Sequence, residues 1–458
     1  MKASVPRVML AAVQSGGGKT TVTCGLLRLL MRRGLRPAAF KCGPDYIDPL
    51  FHAQVIGTQT GNLDLFFTDD STAVALLAEE SAGCSLAVLE GVMGYYDGLG
   101  GVTDTASSYH LASVTHTPTV LIVDAKGTSL SLCAVISGFT GFRDDSMVQS
   151  VLLNRCTKAQ YALLKPVIEA ECGVSVLGYV PLDSRFALES RHLGLVTAAE
   201  VSNLKEKLDL LADTLSETVD LERLLALARS APELEYAPLT IPPAVKSTPM
   251  IAVARDKAFC FYYRENLELL SKLGARLCFF SPLEDAHLPE GICGLYLGGG
   301  YPELYGKALE DNGTLRREIR DAVISGLPTF AECGGFLYLH ESMTDQGGQS
   351  FPMCGVLPGA CRYTGGLRRF GYITLTAEQD NLLCLTGDHI RAHEFHYFDS
   401  DSCGDSCYAE KPVSRAGWPC IHGTRTLFAG FPHLYFYSNP AFARQFVRTA
   451  EQYGGKDG

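Results

Sequence analysis

The sequence predicts an α/β protein of two domains, each built on a parallel sheet covered by helices. Two long stretches alternate short apolar runs, typical of buried strands, with amphipathic helical segments. Between them lies 237–249, which carries four prolines and little charge, a composition typical of a linker. We therefore expect one domain at 1–236 and a second at 250–458, joined by 237–249.

The first stretch contains six apolar runs that we interpret as strands, at 7–13, 37–40, 86–90, 119–124, 150–154 and 176–180. After them, 200–235 is rich in Leu, Glu and Ala and is expected to be helical. The second stretch contains four such runs, at 250–254, 275–280, 294–297 and 328–331.

Length and composition limit the class of protein. The 458 residues are too many for one ordinary core, and 47% hydrophobic with 19% charged residues is typical of a globular α/β protein. The net charge of -11 gives no support to a nucleic-acid or anionic-membrane partner. The sixteen cysteines are scattered, and no export signal or membrane span is evident. These features favour a reduced, cytoplasmic protein.

A glycine-rich loop, SGGGKTT at 15–21, joins the first predicted strand to a helix. Glycines such as Gly16 and Gly18 let backbone N–H groups approach phosphate oxygens at a helix N-terminus. Lys19 adds a positive charge for the β and γ phosphates, and the Thr20 hydroxyl, followed by Thr21, suits Mg²⁺. The loop predicts a nucleoside triphosphate site, against the alternative of an empty glycine turn.

Four carboxylates follow later strands of the same domain. Asp45 and Asp48 stand in KCGPDYIDP, and Glu90 and Asp97 stand in LEGVMGYYDG. Ligands of doubly wound sheets gather at the carboxyl ends of strands, where these side chains converge with the glycine loop. Carboxylates beside a triphosphate are suited to binding Mg²⁺. Taken singly, each Asp also fits an ordinary turn.

The second domain carries a cysteine in PTFAECGGF, where a strand is expected to turn sharply into a helix. This is the pattern of a nucleophile elbow, and the helix N-terminus is expected to favour the Cys333 thiolate. Gly299 and Gly300, in LGGGYPE, follow another strand, and their N–H groups are expected to form an oxyanion hole with that of Gly334.

A histidine base is expected beyond the cysteine, and the chain offers several candidates: His340, His389, His393, His396, His422 and His433. The run HEFH at 393–396 is one residue short of the zinc motif H-E-x-x-H, and no third ligand is evident. We therefore expect no metal there.

The motifs SGGGKTT, KCGPDYIDP, NLDLF, LEGVMGYYDG and HLGLV, in this order and spacing, resemble the cobyrinate a,c-diamide synthase family. The resemblance covers essentially the whole chain. It implies a dethiobiotin synthetase-like P-loop domain followed by a class I glutamine amidotransferase-like domain. It also implies ATP, Mg²⁺ and glutamine, and a tetrapyrrole polycarboxylate substrate of cobalamin biosynthesis whose a and c carboxylates become amides. A homodimer is compatible with it.

The resemblance also implies roles for residues of the first domain. Lys19 and Thr20 would hold ATP and Mg²⁺, with Glu90 and Asp45 as further metal ligands. Asp45, Asp48 and Asp97 would serve the metal, the phosphorylated intermediate or the orientation of the substrate. Asn154 matches the position that reads adenine, although a structural asparagine at a strand end is the alternative. Candidates for holding substrate carboxylates are Lys41, Arg185, Arg191 and His192.

In the second domain the resemblance to class I glutamine amidotransferases selects His433, in PHLY, as the base that acts with Cys333. Many relatives carry Glu two residues after this histidine, whereas this chain has Tyr435. A Cys–His dyad is therefore implied, and the group that orients His433 stays open.

Three alternatives remain. The same amidation could act on Ni-sirohydrochlorin, and a cobyric acid synthase-like amidation of other side chains is more distant. A non-catalytic P-loop switch is the third. Gln14 stands where partition-type ATPases carry a lysine, and a switch has no use for Cys333 and His433.

Overall fold

The computed structural model describes residues 1–186 and 198–455, which form two compact units, Met1–Leu239 and Thr240–Gly458. The division falls inside the proline-rich segment 237–249. The HLGLV motif, with Arg191 and His192, lies outside the described residues. Throughout 1–186 and 198–455, every helix is too short or too polar to cross a lipid bilayer.

The first unit is built on a seven-stranded sheet in the order β4-β3-β5-β2-β6-β7-β8, with every pairing parallel. A short antiparallel pair, β1 and β9, lies apart from it. The strands are β1 (Lys2–Ala3), β2 (Arg7–Ala12), β3 (Pro37–Cys42), β4 (Gln59–Leu63), β5 (Leu86–Glu90), β6 (Thr119–Asp124), β7 (Val148–Asn154), β8 (Ser175–Val180) and β9 (Leu234–Glu235).

Helices cover this sheet because both of its faces are apolar. Helix α1 packs against α7, and the contact is so close that a Cβ at Gly25 would lie 2.6 Å from the side chain of Leu211. The helices are α1 (Lys19–Arg32), α2 (Ile47–Phe51), α3 (Asp70–Glu80), α4 (Ser108–Val114), α5 (Ser131–Gly141), α6 (Lys158–Cys172), α7 (Ala198–Thr218) and α8 (Leu221–Arg229).

All six strands expected from apolar runs in the first unit are present, with ends shifted by at most two residues. The seventh strand, β4, was not expected. Its sequence QTGNL is polar, yet four of its five residues are buried against β3 at the sheet edge. Hydrogen bonds to β3 stabilise this strand, although its sequence lacks the apolar residues typical of a strand.

The second unit contains a six-stranded sheet in the order β12-β10-β13-β15-β25-β24, parallel except for β24. A short antiparallel pair, β11 and β14, lies beside it. These strands are β10 (Met250–Ala254), β11 (Phe259–Phe261), β12 (Arg276–Phe280), β13 (Gly294–Leu297), β14 (Gly299–Gly300), β15 (Thr329–Glu332), β24 (His422–Gly423) and β25 (Leu427–Gly430).

Five helices belong to this unit: α9 (Arg264–Lys272), α10 (Gly306–Asp311), α11 (Gly313–Ile324), α12 (Gly334–Leu339) and α13 (Pro440–Gly454). The four expected strands are present as β10, β12, β13 and β15. Helix α12 starts at the end of β15, so the chain turns from strand to helix at Cys333, as the sequence predicts.

Two further sheets of the second unit were not expected. They are β17-β16-β18-β21, of mixed direction, and β23-β22-β19-β20-β26, which is antiparallel throughout. Their strands are β16 (His340–Thr344), β17 (Ser350–Pro352), β18 (Leu357–Tyr363), β19 (Arg369–Ala377), β20 (His389–His396), β21 (Phe398–Ser400), β22 (Cys407–Glu410), β23 (Gly417–Cys420) and β26 (His433–Leu434).

Candidate active site

The glycine loop of the first unit lies at the carboxyl end of the central strand β2 and starts helix α1. Gly16 and Gly18 adopt positive φ angles of 75° and 93°, which favour glycine because a Cβ is strained there. Gly18 precedes α1, and no side chain caps the first N–H groups of the helix. No side chain therefore competes with an anionic group for these N–H donors.

Lys19 folds back over this loop. Its Nζ donates to the carbonyl oxygens of Gln14 and Met93, the first at 3.4 Å. Burial lowers the pKa of Lys19 to about 8. Asn154, at the end of β7, donates from Nδ2 to the Gly17 carbonyl at 2.9 Å, so its side chain lies against the loop.

A buried charge network connects the loop to the ends of β3 and β5. The Thr20 hydroxyl donates to Glu90 Oε1 at 2.7 Å, and Lys41 Nζ donates to the same oxygen at 2.9 Å. Lys41 also donates to Asp48 Oδ2 at 2.5 Å. Burial opposes the charge of Lys41, but Glu90 and Asp48 outweigh it and hold the lysine pKa above its usual value.

The contacts of Lys41 with Glu90 and Asp48 were not predicted from the sequence. Lys41 was a candidate for substrate carboxylates, yet its ammonium already forms ion pairs with two carboxylates of the site. Burial likewise opposes ionisation of Asp48, and Lys41 keeps the pKa of that carboxyl below its usual value. Arg185 pairs with Asp183 at the surface instead.

His52 was also missed. It is 1% exposed, and its Nε2 lies 3.5 Å from Glu90 Oε2, an oxygen that accepts no hydrogen bond in the described structure. Burial lowers the pKa of His52, so the imidazole is neutral. No motif marks this histidine, because its place depends on the turn that follows α2.

Asp45 and Asp97 occupy different surroundings. Asp45 Oδ1 accepts the Ile47 N–H at 2.8 Å, and burial, with the charge of Asp48, raises the Asp45 pKa to about 7. Asp97 is exposed, and its Oδ2 accepts the Gly94 N–H at 2.8 Å in the loop after β5. Asp97 also acts on Lys19 through its charge, so it lies on the phosphate-loop side of the sheet.

These residues fit a Mg²⁺ ion that arrives with a triphosphate. The Thr20 hydroxyl and Glu90 offer oxygen ligands, and Glu90 Oε2 is buried without a hydrogen-bond donor. Mg²⁺ is commonly held by one or two protein oxygens together with substrate phosphates and water. The described residues contain no group of three or more His, Cys, Asp or Glu side chains arranged for a metal.

In the second unit, Cys333 forms the sharp turn between β15 and α12. Its backbone has φ 44° and ψ −100°, a strained conformation for a residue with a side chain. Two hydrogen bonds fix the turn: the Cys333 N–H donates to Gly430 O, and the Gly335 N–H donates to Gly298 O, both at 2.8 Å. This is the geometry of a nucleophile elbow.

The second glycine loop and His433 meet at this elbow. A Cβ built on Gly334 would lie 2.9 Å from the Gly300 nitrogen, and one built on Gly299 would lie 2.4 Å from His433 Cε1. Only glycine therefore permits both contacts. The arrangement brings together the four residues expected at the oxyanion hole and the base: Gly299, Gly300, Gly334 and His433.

Glu332 supports this arrangement and was not foreseen. Its Oε1 accepts the Leu434 N–H at 2.7 Å, and its Oε2 accepts the Tyr296 hydroxyl at 2.7 Å. The carboxylate thus connects the residue before Cys333 to the residue after His433. Burial raises the Glu332 pKa to about 8.

The protonation state of Cys333 differs from the expectation. Burial, followed by the negative charge of Glu303, raises the pKa of the thiol well above its usual value. The Gly334 N–H lowers the pKa of the thiol, as expected at a helix N-terminus, but loss of solvation outweighs this effect. Burial also lowers the pKa of His433 to about 3, so thiol and imidazole are both neutral.

Three of the other candidate histidines are held by different contacts, and His393 and His396 lie close enough to act on His433 through their charge. His393 is directly opposite His433 in the pairing of β20 with β26, and His396 stacks on Phe431 with ring centroids 3.8 Å apart. His340 bonds to Phe336 O and Ser400 Oγ. The run HEFH lies on a strand, where residues three apart face opposite sides of the sheet.

Family models match both units. The CobQ/CobB/MinD/ParA nucleotide binding domain matches residues 8–196, and the CobB/CobQ-like glutamine amidotransferase domain matches residues 250–440. The first match implies use of ATP. The two units together define a glutamine amidotransferase-type ligase, an enzyme in which a nucleotide-binding domain and an ammonia-producing domain share one chain.

Relatives are similar along nearly the whole chain. Cobyrinate a,c-diamide synthase of Listeria innocua is 39% identical over 96% of this chain and 98% of its own. The synthase of Caldanaerobacter subterraneus is 37% identical over 98% of this chain and 99% of its own. The synthase of Salmonella typhimurium is 39% identical over 97% of this chain and 98% of its own. The chain belongs to the cobyrinate a,c-diamide synthase family.

Proposed function

We propose that this chain amidates the a and c carboxylates of cobyrinate, using ATP to activate each carboxylate and glutamine as the source of ammonia. The observation that carries the proposal is the meeting of the Cys333 elbow, the Gly299–Gly300 loop and His433 in a chain that also holds a phosphate loop. The names of the relatives supply the substrate.

The first unit, assigned to 1–236, would carry out activation. Lys19 and the N–H groups of the loop bind the ATP phosphates, and Asn154 lies beside the loop for the nucleotide. Mg²⁺, held by Thr20 and Glu90 with Asp45 nearby, would neutralise charge on the phosphates. A substrate carboxylate oxygen attacks the γ phosphorus, ADP leaves, and the acyl phosphate gives ammonia a carbonyl with a good leaving group.

Asp45, Asp48 and Asp97 would orient the substrate and the transferring group. The carboxyl of Asp45, with a pKa of about 7, exchanges a proton near neutral pH and suits the proton released when ammonia becomes an amide. Asp48 stays ionised beside Lys41, which keeps the buried network near charge balance. The ion pair with Lys41 holds Glu90 in place and offsets part of the cost of taking its charge out of water.

The second unit, assigned to 250–458, would release ammonia. His433 accepts the proton of the Cys333 thiol as sulfur attacks the side-chain amide of glutamine, and the oxyanion meets the N–H groups at Gly299, Gly300 and Gly334. The proton passes to the leaving nitrogen, and ammonia departs from a thioester. Water then hydrolyses the thioester to glutamate and the free thiol.

The substrate is tested by incubating the protein with ATP, Mg²⁺, glutamine and either cobyrinic acid or Ni-sirohydrochlorin. Mass spectrometry is expected to detect two replacements of OH by NH₂ on cobyrinic acid. If only Ni-sirohydrochlorin is amidated, the substrate is Ni-sirohydrochlorin and not cobyrinic acid. Formation of ADP without amidation of either macrocycle would refute both assignments.

The division of labour is tested with Cys333→Ala. The variant is expected to lose glutamine-driven amidation and to retain amidation driven by ammonium salts, because the first unit keeps its own site. Loss of both activities in a variant with unchanged thermal unfolding would contradict the nucleophile assignment.

We assign the enzyme to the cytoplasm. None of the sixteen cysteines, each in a described part of the chain, forms a disulfide, which suits a reducing compartment. A homodimer stays a prediction, which sedimentation velocity would test.

A further inference from the structure

Glu303 is an acidic residue beside the nucleophile elbow with no role in the steps above. It lies in a 3₁₀ turn, Pro302–Tyr305, which follows the Gly299–Gly300 loop and packs against α12. The Pro302 ring comes within 3.0 Å of a Cβ built on Gly334. The residue after this contact is Glu303, so the turn holds its backbone beside the elbow.

The Glu303 carboxylate has no cation to balance it. Among 1–186 and 198–455, no Lys, Arg or His forms an ion pair with Glu303, and its side chain is only partly exposed. Burial raises the pKa of its carboxyl to about 7. A carboxylate taken from water without a partner is costly, so its position needs an explanation.

The charge of Glu303 acts directly on the nucleophile. After burial it is the strongest cause of the raised pKa of the Cys333 thiol, ahead of Glu332 and Glu394. A carboxylate that opposes thiolate formation hinders a nucleophile unless a positive charge joins it during the reaction. The glutamine substrate carries such a charge on its α-ammonium group.

The two other carboxylates that act on Cys333 have hydrogen-bond donors or positive charges near them. Glu332 accepts hydrogen bonds from Tyr296 and Leu434, as described above. Glu394 is influenced by the positive charges of Arg369, on the adjacent strand β19, and of Lys411, which directly follows β22 of the same sheet. Glu303 thus has neither the paired hydrogen bonds of Glu332 nor the nearby cations of Glu394.

We propose that the Glu303 carboxylate binds the α-ammonium group of glutamine and so selects this substrate. The inference rests on the proposed release of ammonia from glutamine at Cys333. Binding of the ammonium cancels the charge of Glu303, and the thiol then ionises more readily. Glutamine thereby activates the nucleophile that attacks it, whereas a primary amide without an ammonium group leaves the thiol protonated.

The test compares glutamine with glutaramate, the same molecule without its α-amino group, on the unchanged enzyme and on Glu303→Gln. The unchanged enzyme is expected to hydrolyse glutamine with a much higher kcat/KM than glutaramate. In Glu303→Gln, kcat/KM for glutamine is expected to fall by about 10- to 100-fold, the usual loss for a charge-assisted hydrogen bond. Hydrolysis of glutaramate should stay the same or rise, because it never used the charge.

A second readout follows the thiol itself. At neutral pH and without glutamine, iodoacetamide is expected to alkylate Cys333 faster in Glu303→Gln than in the unchanged enzyme, since one negative charge is gone while Glu332 and Glu394 remain. Glu290→Gln, at an exposed carboxylate of the same unit, should change neither readout. Ammonia-driven amidation should be equal in all three proteins.

Equal losses for glutamine and glutaramate in Glu303→Gln would overturn the proposal, because a structural role does not discriminate between the two. An unchanged preference for glutamine would also overturn it. If the unchanged enzyme hydrolyses neither compound yet amidates with ammonia, the proposed glutaminase itself fails and the inference falls with it.

Discussion

Replacing Gly299 by alanine would place a methyl group against the imidazole of His433. The new Cβ would lie 2.4 Å from His433 Cε1 and 3.3 Å from its Nδ1, whereas ordinary contact begins at 3.4 Å. Relief of the contact therefore needs a displacement of about 1 Å. A shift of that size in a reacting group costs about 100-fold in rate. We expect glutamine-driven amidation to fall by about this factor.

The assay measures amidation with glutamine and with ammonium salts in the same preparation. The ammonia-driven rate is expected to be unchanged, because Gly299 belongs to the second unit. The control is Gly366→Ala, whose Cβ would meet no atom within 4 Å and whose backbone is not in the left-handed region. That variant should match the unchanged enzyme with both nitrogen sources.

A Gly299→Ala enzyme with full glutamine-driven activity and unchanged thermal unfolding would refute the reasoning. It would mean that His433 does not need its observed position, and so that it is not the base. A loss of ammonia-driven activity as well would indicate a general folding defect, which a lowered melting temperature would reveal.

Three substitutions test the first unit, and the pH dependence of alkylation tests the Cys333 thiol. Glu90→Gln is expected to abolish ATP-dependent amidation with either nitrogen source, measured as product and ADP, because Thr20 and Mg²⁺ depend on its charge. Lys41→Met should lower the free energy of unfolding in denaturant titration by about 3 kcal/mol or more, since it leaves two buried carboxylates uncompensated. Gly18→Ala should abolish ATP binding in calorimetry, because the new Cβ would lie 2.3 Å from Asn154 Nδ2 at a positive φ. Iodoacetamide alkylation of Cys333, followed by peptide mass spectrometry, should keep rising with pH beyond about pH 8.5, where an ordinary thiol is half ionised; a rate that levels off near there would contradict the raised pKa.

The sequence was informative where local backbone geometry determines chemistry. The phosphate loop and the Cys333 elbow each need glycines at fixed offsets from a strand end, so their motifs predict their structure. The parallel strands were predicted because strands buried on both faces are continuous apolar runs. Residue roles in both sites remain predictions.

The sequence was uninformative about features that depend on tertiary contacts. The short strands from β16 to β23 mix polar and apolar residues, and pairing with neighbours stabilises them. Lys41 lies near the end of the buried strand β3, and nothing local indicates that Glu90 and Asp48 will surround it. The raised pKa of the Cys333 thiol was not foreseen, because a motif describes the nearby N–H groups but not the depth of burial.

The buried, protonated thiol also bears on how this enzyme withstands oxidants and electrophiles. Peroxides and alkylating agents react with thiolates, so a sulfur held as a thiol and 8% exposed is attacked slowly. Inhibitors that rely on intrinsic reactivity alone should therefore spare Cys333. An electrophile shaped like glutamine would be delivered by the same contacts as the substrate, so selectivity for this cysteine among sixteen comes from recognition and not from reactivity.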